Sequence, residues 1–454
     1  MAYAAHLLME SLLHRFAVPL LLRGGICNGK RRFPFLNILI IDDLFVPEPA
    51  KANSSEKVLF CRASEENAKR RILLAKEFQK LGANVLVARL FLNKTEAPVS
   101  FEYRESEGVS QLFVKIPAGK KKNFLRLSEL FSFGSVLSEN APGLAGIFEP
   151  DVVISGGVLP FSVSAGLKIS EGANAVFVTE ISCLPAEVLK RFGFAFGLNP
   201  VLIFLKKSTA AAFLKSHAVL GFFPKVSQKF SGAHNLYPAV FPSLPKAKKP
   251  SEKALLLREK LFSFSEGKTF VLAFCGEIES GFSIEELILS AGTFGKELAL
   301  VFLSEGSKKS YFKRFVAEKG ITNVFFFEES AREELPFILS GADGIFVSES
   351  DFGKGLFPEE KTFWDALGAQ KPVIAASEHW ADFFAKAGGA IITKPRRRDS
   401  ITLGIKALLS MGETDRETLG RANGEFFEKN FLQNFAKENF SLFENFVKQK
   451  EIKK

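Results

Sequence analysis

The chain has 454 residues, of which 47% are hydrophobic and 24% charged, a composition that excludes an intrinsically disordered protein and predicts more than one domain. Its formal net charge is +10, which favours anionic partners. The four cysteines are scattered, with no Cys-x-x-Cys pair and no Cys/His cluster. A disulfide framework and a structural zinc site are therefore not expected, and the cysteine usage fits a reducing cytoplasm.

Residues 1–35 are predicted to be an N-terminal extension. No apolar run in this part reaches the roughly 18 residues that a membrane span requires, because Glu10, His14 and Arg15 interrupt it. Three interpretations stay open: an interfacial amphipathic helix, a docked extension, or an upstream start that precedes the first domain.

Residues 36–237 alternate apolar strands with helices. The run "LNILIIDD" is a continuous apolar strand that ends in two aspartates, and "ENAKRRILLAKEFQKLG" has apolar residues at helical spacing before a glycine stop. The strand "ANVLVARLF" follows, and then "PDVVISGG", "AGLKISEG" and "ANAVFVTEIS" repeat strand, helix and strand. Because this alternation is typical of a doubly wound parallel sheet, we predict a Rossmann-like first domain over 36–237.

A second domain with the same pattern is predicted over 269–415. The stretch "YPAVFPSLPKAKKPSEK" is rich in Pro and Lys and has no period, so 238–268 is predicted as a linker, and 416–454 as C-terminal helices. The predicted fold class is therefore α/β, with two Rossmann-like doubly wound parallel-sheet domains facing a cleft. Ligands of such sheets bind at the carboxyl ends of the strands, so the cleft is the expected site.

The positive charge is concentrated in four short clusters. They are "GKRR" at 29–32, "GKKKNFLR" at 119–126, "KAKK" at 246–249 and "KPRRR" at 394–398. Such clusters can hold a protein on an anionic membrane surface, and they also occur in ordinary solvated loops. Nucleic acid is not an expected partner, because no DNA- or RNA-binding motif accompanies the charge.

The stretch "EEKTFWDALGAQKPVIAASEHWADFF" predicts a helix, a short buried strand and a second helix. Lys361 and Asp365 are four residues apart and therefore share one face of the first helix. Two interpretations compete for this pair: a solvated helix edge and a nucleotide-sugar site. His217, His234 and His379 are far apart in the sequence and show no cluster or triad, so structural roles are predicted for all three.

Three segments resemble a known enzyme family. Two lie in the second half, "REELPFILSGADGIFVSES" and "DALGAQKPVIAAS", and one lies in the first half, "EPDVVISGGVLPFSVSAGLKISEGANAVFVTEISCLPAE". They are similar to the retaining glycosyltransferases of the GT-B fold, family four, and to its subgroup that builds cell-surface polysaccharides. The resemblance covers roughly residues 36–430. It implies transfer of a hexose from a nucleotide-diphosphate sugar to a lipid-linked or surface glycan. It also implies an enzyme that needs no metal or other cofactor. The cysteine usage predicts a cytoplasmic protein, and the basic clusters and the N-terminal stretch leave open whether it is peripheral at the inner face of the membrane.

The resemblance assigns the donor side of the reaction to the second domain. Asp365 takes the position of a glutamate that accepts hydrogen bonds from the ribose hydroxyls. Without a metal, the diphosphate charge must be met by helix N-termini and by basic side chains, for which Lys354 and Lys361 in the loop "SDFGKGLFPEEK" are candidates. The other donor-side candidates are Gly276, Glu277, Glu305, Gly306, Phe327 and Glu328.

The acceptor side falls in the first domain. Gly156, Gly157 and Pro160 shape a loop that is expected to face the acceptor, or that is simply a strand-to-helix turn. The family usually offers an acidic or histidine side chain to the acceptor in the loop that reads "TEISCLP" here, so Glu180 and Ser182 are the catalytic candidates.

Three departures from the family pattern leave the activity open. Phe357 replaces the first of two glutamates in the donor segment, Ser182 replaces an acceptor-side aspartate, and Glu277 stands where an arginine faces the diphosphate. A carboxylate there repels phosphate. These departures favour one alternative, a non-catalytic GT-B protein that binds a glycan or another partner. A nucleotide-sugar epimerase is the other alternative, since it shares the two-domain architecture.

Overall fold

The computed structural model describes thirteen stretches of the chain. They are residues 36–42, 70–93, 100–117, 127–156, 162–181, 200–221, 236–238, 249–266, 269–278, 283–304, 306–327, 334–349 and 360–452. These residues form two compact units. The first contains the described residues up to 238 together with Leu432–Ile452, and the second contains those from 249 to Phe431.

An eight-stranded sheet forms the centre of the first unit. Its strands are β1 (Asn37–Asp42), β2 (Asn84–Asn93), β3 (Ser100–Ser106), β4 (Val109–Pro117), β5 (Val152–Gly156), β6 (Val176–Ile181), β7 (Ala218–Gly221) and β8 (Leu236–Pro238). They lie in the order β3-β4-β2-β1-β5-β6-β7-β8. All neighbours are parallel except β3 and β4. Ile38, Leu39, Ile40 and Ile41 are all buried, as expected for a parallel strand covered on both faces.

Helices cover this sheet. They are α1 over residues 70–80, α2 (Leu127–Glu139), α3 (Ala141–Phe148), α4 (Ser162–Ala173) and α5 (Pro200–Lys215). Gly166 lets α4 approach the sheet closely, since a Cβ at this position would lie 2.8 Å from the Cβ of Ser155 in β5. The helix that follows β5 is thereby held against the strand whose end carries Gly156.

The second unit has a six-stranded, fully parallel sheet. Its strands are β9 (Phe270–Phe274), β10 (Leu298–Phe302), β11 (Val324–Phe326), β12 (Gly344–Ser348), β13 (Val373–Ala376) and β14 (Ala390–Thr393). Their order is β11-β10-β9-β12-β13-β14. Numbered within the unit, this is 3-2-1-4-5-6, the order of dinucleotide-binding sheets. Phe274 and Phe302 on adjacent strands pack with ring centroids 4.9 Å apart, inside a core that explains much of the phenylalanine content.

Eight helices are described for the second unit. They are α6 (Glu252–Glu266), α7 (Ile284–Gly292), α8 (Lys309–Glu318), α9 (Leu335–Leu339), α10 (Glu360–Gly368), α11 (Ala381–Ala387), α12 (Arg398–Ser410) and α13 (Glu413–Lys429), with a 3₁₀ turn at Gly295–Glu297. The predicted fold class, two Rossmann-like parallel-sheet units with C-terminal helices, is confirmed by these two sheets.

Two features of the fold were not predicted from the sequence. The hairpin β3–β4 adds an antiparallel edge to the first sheet. The stretch 238–268, predicted to be a linker, contains α6, which buries Ala254 and Leu261 completely. The Oγ of Ser251 donates to Glu334 Oε2 at 2.9 Å, just before α9. The helix was not predicted because the stretch begins with several Pro and Lys residues. In addition, the two fully buried positions of the helix are two turns apart, which gives a weak periodic signal.

Helix α13 fixes the turn between α10 and β13. Gln370 in this turn has a φ of 58°, in the left-handed region where glycine is favoured. The Nδ2 of Asn423 in α13 donates to the carbonyl oxygens of Lys371 and Gly389, at 2.8 and 2.9 Å. Gly420 allows this approach, because a Cβ there would lie 2.3 Å from the Gln370 oxygen. The position of α10 therefore depends on α13.

The last helix, α14 (Leu432–Ile452), belongs to the first unit although it ends the chain. Phe443 is fully buried and its ring lies 5.8 Å from that of Phe78 in α1. Lys450 Nζ donates to the carbonyl oxygen of Ala175 at 2.7 Å. Within the ranges given above, no helix is long and apolar enough to cross a bilayer.

The burial of Phe443 predicts a large effect on stability. Phe443→Ala should lower the free energy of unfolding of the first unit by about 3–5 kcal/mol, because it removes a buried ring and leaves a cavity. Ile452→Ala in the same helix is the matched control, since Ile452 is 84% exposed, and should change stability by less than about 0.5 kcal/mol. Urea denaturation measures both. Equal effects of the two substitutions would show that α14 does not pack on this unit as described.

His217 makes the stability of this region depend on pH. Burial and the nearby Lys450 charge lower the pKa of His217, and the backbone N–H of Phe177 donates to its Nδ1 at 3.1 Å, which leaves no hydrogen on that nitrogen. The folded state therefore holds the neutral ring, whereas in the unfolded chain the ring takes up a proton below about pH 6.5. The contribution of the neutral His217 ring to the free energy of unfolding is therefore fully present above about pH 6.5. It is lost as the pH falls toward the lower pKa that His217 has in the folded protein.

We therefore expect the stability gap between the natural protein and His217→Asn to narrow with acidification. The gap should be largest at pH 7.5 and shrink toward pH 5, because the variant has no ring to protonate. Urea denaturation of both proteins across this range provides the measurement. A gap that stays constant or widens in acid contradicts a buried neutral ring at this position.

Candidate functional site

The second sheet has one topological switch point, between β9 and β12. The chain moves outward from β9 in one direction through β10 and β11, and in the other through β12, β13 and β14. Ligands of open α/β sheets bind outside the carboxyl ends of the strands at such a point. The residues that follow β9 and β12 therefore lie where a ligand is expected.

Two of the predicted donor-side residues follow β9, and a third packs against them. Gly276 has a φ of 154°, and a Cβ there would lie 2.9 Å from the ring of Phe274. Glu277 is buried. Gly306 follows β10 and lies against Ile278, the residue after Glu277. A Cβ on Gly306 would be 2.1 Å from the carbonyl oxygen of Ile278. Only glycine fits this backbone contact, so the structure brings Gly276, Glu277 and Gly306 together at the carboxyl edge.

Helix α10 carries Asp365 beside the same edge. The Sγ of Cys275, at the end of β9, lies 3.5 Å from the carbonyl oxygen of Thr362 in the first turn of α10. Asp365 is one turn further on and only 9% exposed. The interpretation of a solvated helix edge is therefore wrong for Asp365. Burying a carboxylate costs free energy unless hydrogen bonds or opposite charges compensate it. Asp365 therefore differs from an ordinary solvated surface carboxylate.

Aromatic residues hold α10 in place from its other side. The indole of Trp364 stacks on Phe426 at 5.7 Å between centroids and meets Phe383 edge-on at 5.2 Å. Phe363 meets Phe384 edge-on at 4.9 Å. These contacts tie α10 to α11 and α13, so the orientation of Asp365 is fixed by packing.

Phe327 follows β11 and is half-buried, so it does not belong to the core. Its carbonyl oxygen accepts a hydrogen bond from Lys309 Nζ at 2.7 Å. The exposed ammonium of Lys260 lies 4.4 Å from the centre of its ring, a cation–π contact that covers one ring face.

A cluster of polar side chains at the ends of β12 and β13 was missed in the sequence. Glu349 follows β12, and its Oε2 accepts hydrogen bonds from the Ser377 hydroxyl at 2.7 Å and from the backbone N–H of His379 at 2.9 Å. Its Oε1 lies 3.0 Å from His379 Nδ1. The prediction that His379 forms no cluster is therefore wrong. One sequence signal could have predicted this cluster. Polar residues follow two successive apolar strands, and a parallel sheet brings the ends of such strands to one edge.

The N-terminus of α7 and the last basic cluster also lie at this edge. The N–H of Ser283, just before α7, donates to the Ser348 hydroxyl at 3.1 Å, and the Arg396 N–H donates to the Ser283 hydroxyl at 3.0 Å. Arg396 has a φ of 55°, so the segment "KPRRR" turns sharply after β14. The positive end of the α7 dipole thus lies beside the segment that carries four basic residues, which attract anions, while Glu285 and Glu286 in the first turn of α7 oppose that attraction.

The first unit brings Gly156 and Glu180 together. They are paired in register across β5 and β6, near the switch point between β1 and β5. The Oε2 of Glu180 lies 3.5 Å from Arg71 Nε, and both side chains are buried. Arg71 also lies 3.3 Å from Asp42 Oδ1, and Arg89 Nε lies 3.0 Å from Asp42 Oδ2. The catalytic candidate Glu180 is therefore part of a buried network of two carboxylates and two guanidinium groups.

Several predicted residues lie outside the described residues. They are Gly157, Pro160, Ser182, Glu305, Glu328 and Lys354, together with His234 and the side chain of Lys361. The basic clusters 29–32 and 119–126 and most of 246–249 also lie there, so contact with an anionic membrane surface stays a prediction. In the described part of the chain, no three His, Cys, Asp or Glu residues converge as a metal site requires.

No protein-family model matches the sequence, and no curated protein matches it. Solved structures do resemble it. A glycosyltransferase from Rickettsia africae ESF-5 matches with a TM-score of 0.60 and 15% identity, over 92% of this chain and 100% of that chain. A protein described as trehalose-6-phosphate from E. coli bound with UDP-2-fluoro glucose matches at 0.57 and 11%, over 90% and 99%. An Anabaena protein in complex with UDP and glucose matches at 0.54 and 12%, over 89% and 98%. The chain therefore has the GT-B fold of glycosyltransferases.

Proposed function

We propose that the protein is a retaining, metal-independent glycosyltransferase. In this proposal it transfers a hexose from a nucleotide-diphosphate sugar to a lipid-linked or surface glycan. It would work in the cytoplasm at the inner face of the membrane, as do the family-four enzymes of polysaccharide biosynthesis that its sequence resembles. The GT-B fold supports the reaction class, and neighbours of this fold include proteins bound to UDP and to UDP-2-fluoro glucose.

The observation that carries the proposal is the position of Asp365. This buried carboxylate lies on a helix whose first turn contacts the end of β9, at the switch point of a 3-2-1-4-5-6 sheet. A carboxylate held rigidly at such a place can accept hydrogen bonds from two neighbouring ribose hydroxyls. Packing of α10 against α11 and α13 supplies the rigidity that this recognition needs.

The chemistry of transfer requires orientation and stabilisation of a departing diphosphate. The N-terminus of α7 and the segment 394–398 provide positive potential at the carboxyl edge of the donor unit. Lys354 and Lys361 are assigned the same role. Gly276 and Gly306 shape the loops at this edge, because they allow the close contacts with the Phe274 ring and the Ile278 backbone. In retaining transfer the leaving diphosphate itself can accept the proton of the attacking hydroxyl, so no strong protein base is required.

Nucleotide binding is the first test. We expect UDP, GDP or ADP, or one of their sugars, to raise the melting temperature, with about 2.7 kcal/mol of stabilisation at a ligand concentration one hundred times Kd. Asp365→Asn should weaken this binding by about 1.5–3 kcal/mol, the range for a hydrogen bond to a charged group. Asp415→Asn, an exposed carboxylate of α13, is the control and should bind normally. No shift with any of these ligands at millimolar concentration would refute the donor site.

A second candidate function, a non-catalytic glycan- or partner-binding protein, is favoured by one observation. Glu180, the acidic residue on the acceptor side, is held by Arg71 inside a buried network. A carboxylate in such a pair is kept ionised and oriented toward its partner, which limits its use in proton transfer.

Substitution of Glu180 and Arg71 separates the two functions. Arg71→Leu should cost about 3–5 kcal/mol of stability, because it strips buried carboxylates of their partner. Lys215→Leu breaks the exposed pair with Glu171, 3.3 Å long, and should cost under about 1 kcal/mol. In an enzyme that uses Glu180 for proton transfer, Glu180→Gln should lower sugar transfer by about a hundredfold or more at a temperature where it stays folded. In a binding protein, the unmodified chain transfers no sugar and Glu180→Gln changes only stability.

A further inference from the structure

The Glu349 and His379 side chains leave one ring nitrogen directed away from the carboxylate that orients the ring. An ionised carboxylate only accepts hydrogen bonds, so the hydrogen between Glu349 Oε1 and His379 Nδ1, 3.0 Å apart, belongs to Nδ1. Two further donors, the Ser377 hydroxyl and the His379 backbone N–H, fix Glu349 through its Oε2. Glu349 is nearly buried, whereas the His379 side chain is 26% exposed. Among the described residues, Nε2 has no hydrogen-bond partner.

The ring lies in a region that favours negative charge. The Ser377 N–H donates to the carbonyl oxygen of Thr393 at 3.1 Å, so the residues after β13 lie beside those after β14. The latter are the basic residues of 394–398, in which Arg397 pairs with Asp399 at 3.2 Å and Arg398 donates to the carbonyl oxygen of Leu289 at 3.3 Å. On the other side, Glu349 directly follows Ser348, which contacts the N-terminus of α7. The histidine is therefore flanked by the basic segment and by the positive end of the α7 dipole, which are opposed by the carboxylates of Glu285 and Glu286 in the first turn of α7.

We propose that His379 is a phosphate-binding residue of the donor site, and that Glu349 is the residue that positions it. With Nδ1–H held by Glu349, a doubly protonated ring donates Nε2–H to a phosphate oxygen. The negative charge of the phosphate balances the second proton. The ligand class is a diphosphate, supplied by a nucleotide sugar. This inference rests on the proposed function, because it assigns the phosphate end of the ligand whose ribose end is assigned to Asp365.

A sugar hydroxyl is the competing ligand for this ring. A neutral His379 with its hydrogen on Nδ1 would accept a hydroxyl hydrogen at Nε2. The surrounding charges favour the phosphate, because a neutral hydroxyl gains little from the α7 terminus or from the four basic residues, whereas an anion gains from both. A ligand that carries phosphate but no sugar therefore distinguishes a phosphate-binding His379 from one that binds a sugar hydroxyl.

The experiment uses inorganic pyrophosphate, UDP and uridine as probes of the full chain, with affinities measured by calorimetry. His379→Gln should weaken pyrophosphate and UDP binding by about tenfold to a hundredfold and leave uridine binding unchanged. Lys386→Gln is the matched control, since it removes one exposed positive charge from the last turn of α11, and should leave all affinities unchanged. Glu349→Gln should reproduce the phosphate-selective loss. A purely structural role of Glu349 would instead lower all affinities alike.

The outcomes separate this inference from the proposed function. If UDP binds and His379→Gln binds pyrophosphate and UDP as tightly as the natural protein, the inference is overturned while the proposed function stands. If a nucleotide sugar loses affinity in His379→Gln but pyrophosphate does not, the ring binds a sugar hydroxyl and the inference is likewise overturned. If no nucleoside diphosphate binds, the proposed function fails, and a pyrophosphate affinity that depends on His379 would still support the phosphate site. Should Glu349→Gln fail to fold, His379→Gln decides, because its side chain is partly exposed.

Discussion

The parallel pairing of β9 with β12 is the constraint on which the candidate site depends. Their register, Gly344 with Leu272 through Phe346 with Phe274, places the carboxyl ends of both strands at one edge. Everything assigned to the donor side follows from that edge, including the loop with Glu277, the turn with Glu349 and the first turn of α10. Parallel strands can be joined only by crossovers, so residues distant in the sequence meet there. Packing of α10, α11 and α13 then fixes the orientation of groups that the sheet alone would leave free.

Each unit places buried charge at its carboxyl edge but balances it in a different way. In the first unit, Asp42 and Glu180 are matched by Arg71 and Arg89, so the charges are neutralised within the protein. In the second unit, the partners of Glu349 among the described residues are the Ser377 hydroxyl and two N–H groups of His379, whose side chain is 26% exposed. A closed network mainly contributes stability and orientation, because its ions have already found partners. A network that ends in a partly exposed hydrogen-bond donor is stabilised when an anion binds to that donor.

The strands were predictable because apolar runs bounded by glycine and charged residues are a strong local signal. The parallel pairing of most strands followed from the strand–helix alternation, and the structural neighbours agree with the expected fold. The β3–β4 hairpin and α6 were not predictable in the same way. The hairpin turn, Glu107 and Gly108, interrupts a polar stretch without an apolar run on both sides. Helix α6 begins directly after a Pro- and Lys-rich segment that obscures its start.

The candidate site was predicted less well than the fold, for a physical reason. Gly276 and Gly306 stand out in the sequence as glycines after strands, but only the structure shows that 306 must be glycine to pass the backbone of Ile278. Glu349 and His379 each follow an apolar strand, but a helix and a strand separate them in the sequence, so the sequence did not show that they meet. Glu277 poses the opposite problem. The resemblance places its carboxylate where it would repel a diphosphate, yet the side chain is buried, and the exposed charges at the same edge include Glu285 at the start of α7 as well as the basic residues of 394–398. Because a buried charge is screened less by water than an exposed one, Glu277 opposes the positive contribution of the basic segment and of the α7 terminus, and a diphosphate is favoured where that positive contribution is the larger.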